Sequence, residues 1–449
     1  MNNTVFSFFE NFQYNSIPNK VLNNSKISLL DLIGVAVGGT NTDLSKIIRN
    51  FSVNHYPFNQ KLGNASIIWF DGRPSNPSGA ALANAMTVDS LDAHDGHKLT
   101  KGHVGCGLVP TIISMMQAQG EESSKKFLTN LVLGYEFATR AGISLHKNSP
   151  DYHTSGAWIS LASAFIGSKI LKLSTHQMRE AIGIAEYHGP RSQMMRCIDH
   201  PTMIKDGSGW GAMCGISAAY LAKEGFTGAP AITIEHDDLN SIWKDLGDKW
   251  YTNEQYLKLY PVCRWAQPAV EAVLELKKKY QFENTEIKRI SINTFHEAKR
   301  LDLKHPKTTE QAQYSLPHPI AAALIKGNIG PDEVSKEAIN NTKIAKLRNK
   351  IFVRESEEYN KFFPSRRLAK AEIMLENNKV VTSKIKEAKG DPEDPLSELE
   401  IKNKFENLTF ERLGSNRAKN IYQFIMELNS ENNMSHLWSL IKSPLLENK

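Results

Sequence analysis

Cysteine is scarce in this sequence: four residues in 449, at Cys106, Cys197, Cys214 and Cys263. They are widely spaced and form no C-x-x-C pair, which argues against a disulfide framework and against a cysteine-rich zinc or iron–sulfur centre. A reducing compartment is expected. Excess charge of one sign is small as well. The formal net charge is +6, and basic residues are scattered apart from short runs such as Lys277-Lys278-Lys279. A nucleic-acid binder would carry a dense basic stripe interleaved with aromatics, so no nucleic-acid partner is expected. Residues 1–20 lack a basic region followed by an apolar one, so they do not read as a signal peptide. The most apolar stretch, residues 27–37, is interrupted by Asp31 and is far shorter than the ~20 residues that span a bilayer. The expectation is a soluble, cytoplasmic protein with no membrane contact. There is no G-x-S-x-G elbow, and Cys106 sits in no nucleophile motif, which leaves hydrolase and kinase readings without support.

What remains is enough to fold. Apolar residues make up 41% and charged residues 23% of the chain, near the usual range for folded proteins. The length favours two domains over one core. Helical patterns fill the first half. Ile27, Leu30, Ile33 and Val37 fall on one stripe with apolar residues on other faces too, as in a buried helix. Residues 77–88 are alanine-rich, with Asn76 or Ser78 as a cap. Residues 157–171 and 211–224 repeat the pattern, and the second ends at Gly225, a good helix-stop residue. After Tyr280 the composition shifts. Residues 288–295 alternate like a half-buried strand, as do 349–354 and 369–375, and Asn377-Asn378 suits a hairpin turn into 379–385. Helical segments lie between these strands at 319–326 and 332–347. Residues 390–395 form a turn-rich boundary, and helices follow from Ser397.

Four places concentrate polar residues beside apolar helices. The first holds Asp92, His94, Asp95, His97, Lys98, Lys101 and His103. Carboxylates and imidazoles this dense suit general acid–base work, because each tunes its neighbours. A zinc site or a solvated loop are the rival readings, but no helix-spaced ligand motif is present. The second is Tyr152-His153-Thr154-Ser155, where Thr154 or Ser155 is placed to cap the next helix. The third is Lys205-Asp206-Gly207-Ser208-Gly209, where a helix start offers N–H groups to an anion, although helix packing also explains the glycines. The fourth runs from Lys258 to Arg264: two cations within seven residues, the second able to grip a carboxylate with two parallel bonds.

These four places, in this order and spacing, resemble the MmgE/PrpD family, which includes 2-methylcitrate dehydratases, cis-aconitate decarboxylases and an iminodisuccinate epimerase. The resemblance spans nearly the whole chain, through residues 28–39, 80–95, 103–110, 205–228, 258–263, 313–315 and 390–405. It implies a mainly α protein with a smaller α+β domain: a large helical domain built from residues 1–265 and 397–449, with an α+β lid inserted at 266–396. It also implies a homodimer, and neither an organic cofactor nor an iron–sulfur cluster; no metal is expected. Position by position, Asp92 matches the first acid of the family's L-D-x-D-D segment and His103 the histidine of H-P-G. His153 matches the histidine before the small-residue helix, Lys205 and Lys258 the two lysines, and Tyr314 the tyrosine of Q-Y-S. Four positions depart from the pattern. His94 replaces the middle acid, Asp89 stands where a histidine is usual, Val104 replaces a proline, and Gln267 replaces a histidine.

Dehydration, decarboxylation and epimerisation of a polycarboxylate all develop negative charge on a carbon beside a carboxylate, and fixed cations stabilise it. The resemblance therefore implies Lys205 and Lys258 as catalytic cations, with Arg264 and Asp95 as substrate-binding residues. It gives His103 and His153 to proton transfer, Asp92 to orienting or accepting, and Tyr314 to protonating. The leading expectation is a 2-methylcitrate dehydratase-like hydro-lyase acting on a small polycarboxylate. The alternatives are an epimerase or isomerase, a decarboxylase, and an inactive binding relative.

Overall fold

Asn76 accepts a hydrogen bond from the Gly79 N–H and Pro77 fills the first turn, so the alanine-rich stretch starts its helix at its expected cap and runs Pro77–Leu91. The computed structural model describes residues 3–446, and most of them are helical. The Asn19–Gly39 helix extends the apolar stripe read from the sequence to 21 residues. Among the described residues it is long and apolar enough to cross a membrane, but everything from Ser28 to Gly39 is buried inside the protein, as in a core helix. It packs against the Pro77–Leu91 and Glu398–Leu413 helices. The C-terminal segment thus returns to the N-terminal one, and its first helix is fixed by a capping box between Ser397 and Glu400.

Small residues decide how the central helices meet. The Gly156–Ile170 and Ser208–Lys223 helices pack closely. A Cβ on Gly211 would lie 2.5 Å from the Gly156 carbonyl oxygen, and one on Gly209 would lie 2.8 Å from that of Leu82. Gly209 and Gly211 are therefore packing residues, whereas Gly207 turns the chain at φ 66°. Ser155, expected as a cap, makes no capping bond; its hydroxyl is used in the polar cluster described below.

A second apolar core starts at Tyr260 and runs to Val381, taking in Met194 and Ile198 from the helical part. Its four strands lie in the order 351–355, 287–294, 369–375, 380–382; the first pair is parallel and the others antiparallel. Asn378 makes the hairpin turn in the left-handed region at φ 63°. Three strands differ from the sequence reading: one runs Ile287–Thr294 rather than 288–295, one Ile351–Glu355 rather than 349–354, and the last Val380–Thr382 rather than 379–385. The single helix expected over 332–347 is three short pieces. Ser335 caps one at the Ala338 N–H, and Asn341 caps the next at the Lys343 and Ile344 N–H groups. The Gln267–Tyr280 helix backs the sheet, and the Pro317–Lys326 helix packs beside it.

Candidate active site

The Pro77–Leu91 helix ends because Asp92 adopts the left-handed conformation at φ 56°, turning the chain into the loop that carries His94, Asp95 and His103. Lys205 is also left-handed, at φ 52°, just ahead of the Ser208–Lys223 helix. The close glycine packing of that helix draws Lys205 and Asp206 against the same loop. Lys258 enters from the segment leading into the second core, and Gln313 and Tyr314 come from that core. Side chains separated by more than 200 residues thereby meet in one buried cluster.

Lys258 Nζ donates to Asp92 Oδ1 at 2.8 Å and to the Asp92 carbonyl at 3.0 Å; both side chains are 1% exposed. Lys205 Nζ donates to Gln313 Oε1 at 2.7 Å and lies 4.7 Å from the centre of the Tyr314 ring. Gln313 in turn donates to the Ser90 carbonyl, tying the second core to the helix that carries Asp92. Burial pushes the Asp92 carboxyl up, but Lys258, Lys205 and the nearby imidazoles outweigh it and hold the group well below the usual carboxylate range. Tyr314 keeps its proton, because burial and then the surrounding acids push the phenol well above its ordinary value.

Three hydrogen bonds fix His103. Its backbone N–H donates to Ser155 Oγ at 2.9 Å, its carbonyl accepts from Trp158 Nε1 at 2.8 Å, and its Nδ1 lies 2.5 Å from the Asp95 carbonyl oxygen. A carbonyl only accepts, so Nδ1 carries the hydrogen and Nε2 is left facing Asp206 Oδ2 at 3.6 Å. Ser155 Oγ donates to the same Asp206 oxygen at 2.8 Å, linking the His103 backbone to that carboxyl. Burial lowers both His94 and His103 to about 3 and raises Asp89 and Asp206, so the imidazoles are neutral at pH 7 and burial favours the protonated form of both carboxyls.

Of the residues expected from the sequence, Asp92, His103, Lys205, Lys258 and Tyr314 come together. Asp95 contributes its backbone; its carboxyl is turned to the Tyr135 hydroxyl at 2.7 Å, away from a substrate-holding role, and burial raises it to about 7. His153 is not in the cluster. It is half-exposed, its ring bonds the Asp151 carbonyl, and its backbone N–H takes the His146 ring. Arg264 is also redirected. Its guanidinium donates to the carbonyls of Ala388 and Lys389 and to Gln267, and pairs with Asp391 at 2.8 Å. These partners make Arg264 a clasp between chain segments, with its terminal nitrogens committed.

Sequence reasoning did not single out Asp206 or Gln313, although Asp206 stands beside Lys205 and Gln313 beside Tyr314. The two departures at Asp89 and His94 prove to be in contact, with Nε2 and Oδ1 3.3 Å apart. Asp92, His94 and His103 bring one ligand atom each within 4.8 Å of one another, a spacing that fits a metal ion. Lys258 already occupies Asp92, however, and Lys205 adds a second cation. The donor set fits an anion better than a metal ion.

Family comparison gives the same direction. The MmgE/PrpD N-terminal domain matches residues 4–241, and the MmgE/PrpD C-terminal domain matches residues 260–430. The chain belongs to the MmgE/PrpD family. Among the relatives of this MmgE/PrpD chain is a cis-aconitate decarboxylase-like protein of Aspergillus oryzae, 23% identical over 96% of this chain and 94% of its own length. The cis-aconitate decarboxylase of Homo sapiens is 24% identical over 95% of this chain and 92% of its own, and that of Mus musculus 23% over 97% and 92%. The two family matches take in Asp92, His103, Lys205, Asp206, Gln313 and Tyr314, while Lys258 lies between them.

Proposed function

We propose that this chain is a lyase that uses side chains alone to act on a small tricarboxylate, with decarboxylation of a cis-aconitate-like substrate as its reaction. One observation carries the reading: Lys205 and Lys258, from distant segments, converge with His103 and Tyr314 in an enclosed cluster. The names of the relatives favour decarboxylation over the hydro-lyase reaction expected from the sequence.

In this reading Lys205 and Lys258 hold substrate carboxylates, each charged hydrogen bond contributing about 1.5–3 kcal/mol. Tyr314 is too weak an acid to give up its proton and donates a hydrogen bond instead. When the carbon–carbon bond breaks, carbon dioxide leaves and its electron pair stays on a carbon stabilised by the neighbouring carboxylate. That carbon takes a proton from the His103–Asp206 pair, which water later restores. General acid catalysis of this kind contributes about 10²–10⁴-fold. Every member of the cluster is buried, so substrate enters when the second core swings away from the helical one.

The test is incubation of the protein in deuterated water with cis-aconitate, citrate and 2-methylcitrate, followed by proton NMR and carbon dioxide release. Carbon dioxide with one deuterium in the product supports the proposal. An alkene from a hydroxy acid selects dehydration, and exchange without product selects epimerisation. Binding without any turnover leaves an inactive relative and overturns the lyase reading. We also propose a homodimer, supported by Trp210 and Leu221 exposed on one face of the Ser208–Lys223 helix with Ile204 and Phe226 at its ends. A monomeric mass in sedimentation would sink that.

A further inference from the structure

Lys258 is spent on Asp92, while the partner of Lys205 is a neutral amide, so the cluster offers one uncompensated cation. A tricarboxylate brings three negative charges into a space where unpaired charge is costly. The site therefore needs positive charge that it does not hold when empty, and only its imidazoles can gain it. Two carboxyl–imidazole pairs are present. The Asp95 carbonyl accepts from Nδ1 of both rings, at 3.3 Å for His94 and 2.5 Å for His103, so both direct Nε2 at a carboxyl. The rings stand edge to face 4.3 Å apart, which disfavours charging both at once.

The pairs differ in what their acids have left to offer. Asp206 Oδ2 already accepts from Ser155, and its Oδ1 faces the Cys197 thiol. Asp89 uses Oδ1 toward His94, and its Oδ2 is buried without a partner. We propose that the Asp89–His94 pair takes up one proton as a tricarboxylate binds and then holds the third carboxylate. In that state every polar atom is used. His94 Nδ1–H donates to the Asp95 carbonyl, Nε2–H donates to Asp89 Oδ1, and the proton on Asp89 Oδ2 donates to the substrate. The charged groups facing the pair are Lys205, Lys258, Asp92, His103 and Asp206, with the Ser208 hydroxyl beside Asp89, and the substrate's own charges tip the balance toward uptake. Burial already favours the protonated form of Asp89. The pair thus distinguishes tricarboxylates, whose third carboxylate it holds, from dicarboxylates, which have none to offer it.

This inference rests on the reading of the cluster as a polycarboxylate site. The test uses the unreactive tricarballylate and succinate, titrated calorimetrically into the full-length protein in buffers of different ionisation enthalpy. Wild type should take up about one proton per tricarballylate near pH 7.5, with affinity falling about tenfold per pH unit above that. His94→Gln and Asp89→Asn should each abolish the uptake and weaken tricarballylate at least ~10-fold while leaving succinate within about threefold. Wild-type binding without proton uptake, or uptake retained in both variants, overturns the inference. Failure of wild type to bind either acid overturns the site reading itself.

Discussion

Replacing Lys258 by methionine separates what the lysine does for the fold from what it does for the substrate. Methionine keeps the length of the stem and removes the charge. Asp92, 1% exposed, then loses both of its Lys258 bonds, at 2.8 and 3.0 Å, and is left as an unpaired buried acid. Breaking one partner of a buried pair costs about 3–5 kcal/mol, whereas removing both is close to neutral. Lys258→Met should therefore lower the urea midpoint sharply, and adding Asp92→Asn should restore most of the loss. Activity should not follow. A lost charged bond to a substrate carboxylate, at about 1.5–3 kcal/mol, lowers kcat/KM by roughly 10- to 150-fold, and the double variant should remain that slow. A Lys258→Met protein as stable as wild type, or a double variant no more stable than the single, would refute the reasoning.

Three further outcomes are expected. His103→Ala should slow turnover by at least ~100-fold with a normal unfolding curve, because the ring's bond to the Asp95 carbonyl and its approach to Asp206 serve the reaction more than the fold; near-wild-type rates would contradict this. His153→Ala should stay within about threefold of wild type, since the cluster does not include it. Asp95 has a folded value raised to about 7 from 3.8, so its contribution to stability is present below about pH 4 and is lost as pH rises toward 7. Asp95→Asn cannot ionise and should lack that decline, at up to ~1.4 kcal/mol per pH unit, in urea titrations from pH 4 to 8; parallel curves would count against it.

Much of this arrangement can be read from local chemistry. Asn76, Ser397 and Gly225 mark helix ends because a cap is satisfied within three residues of itself. Ser335 and Asn341 carry the same signal, and it was strong enough to cut the 332–347 stretch that apolar spacing alone reads as one helix. The site residues Lys205, Lys258 and His103 stand out through their company in the sequence and through the family pattern. The fate of Arg264 does not, because its partners are carbonyls at Ala388 and Lys389, more than 120 residues away. Ser155 gave a misleading local signal: it sits where a cap belongs, yet its hydroxyl answers to His103 and Asp206, which only the folded chain brings near. His153 shows the converse, a histidine beside the right helix whose ring turns to its own loop.

The most direct measurement is a crystal structure of the protein with tricarballylate. The account predicts its carboxylates within hydrogen-bond distance of Lys205 and Lys258, with a third against Asp89, under a closed second core. Density for the acid on the outer surface, with those three side chains unchanged, would contradict it.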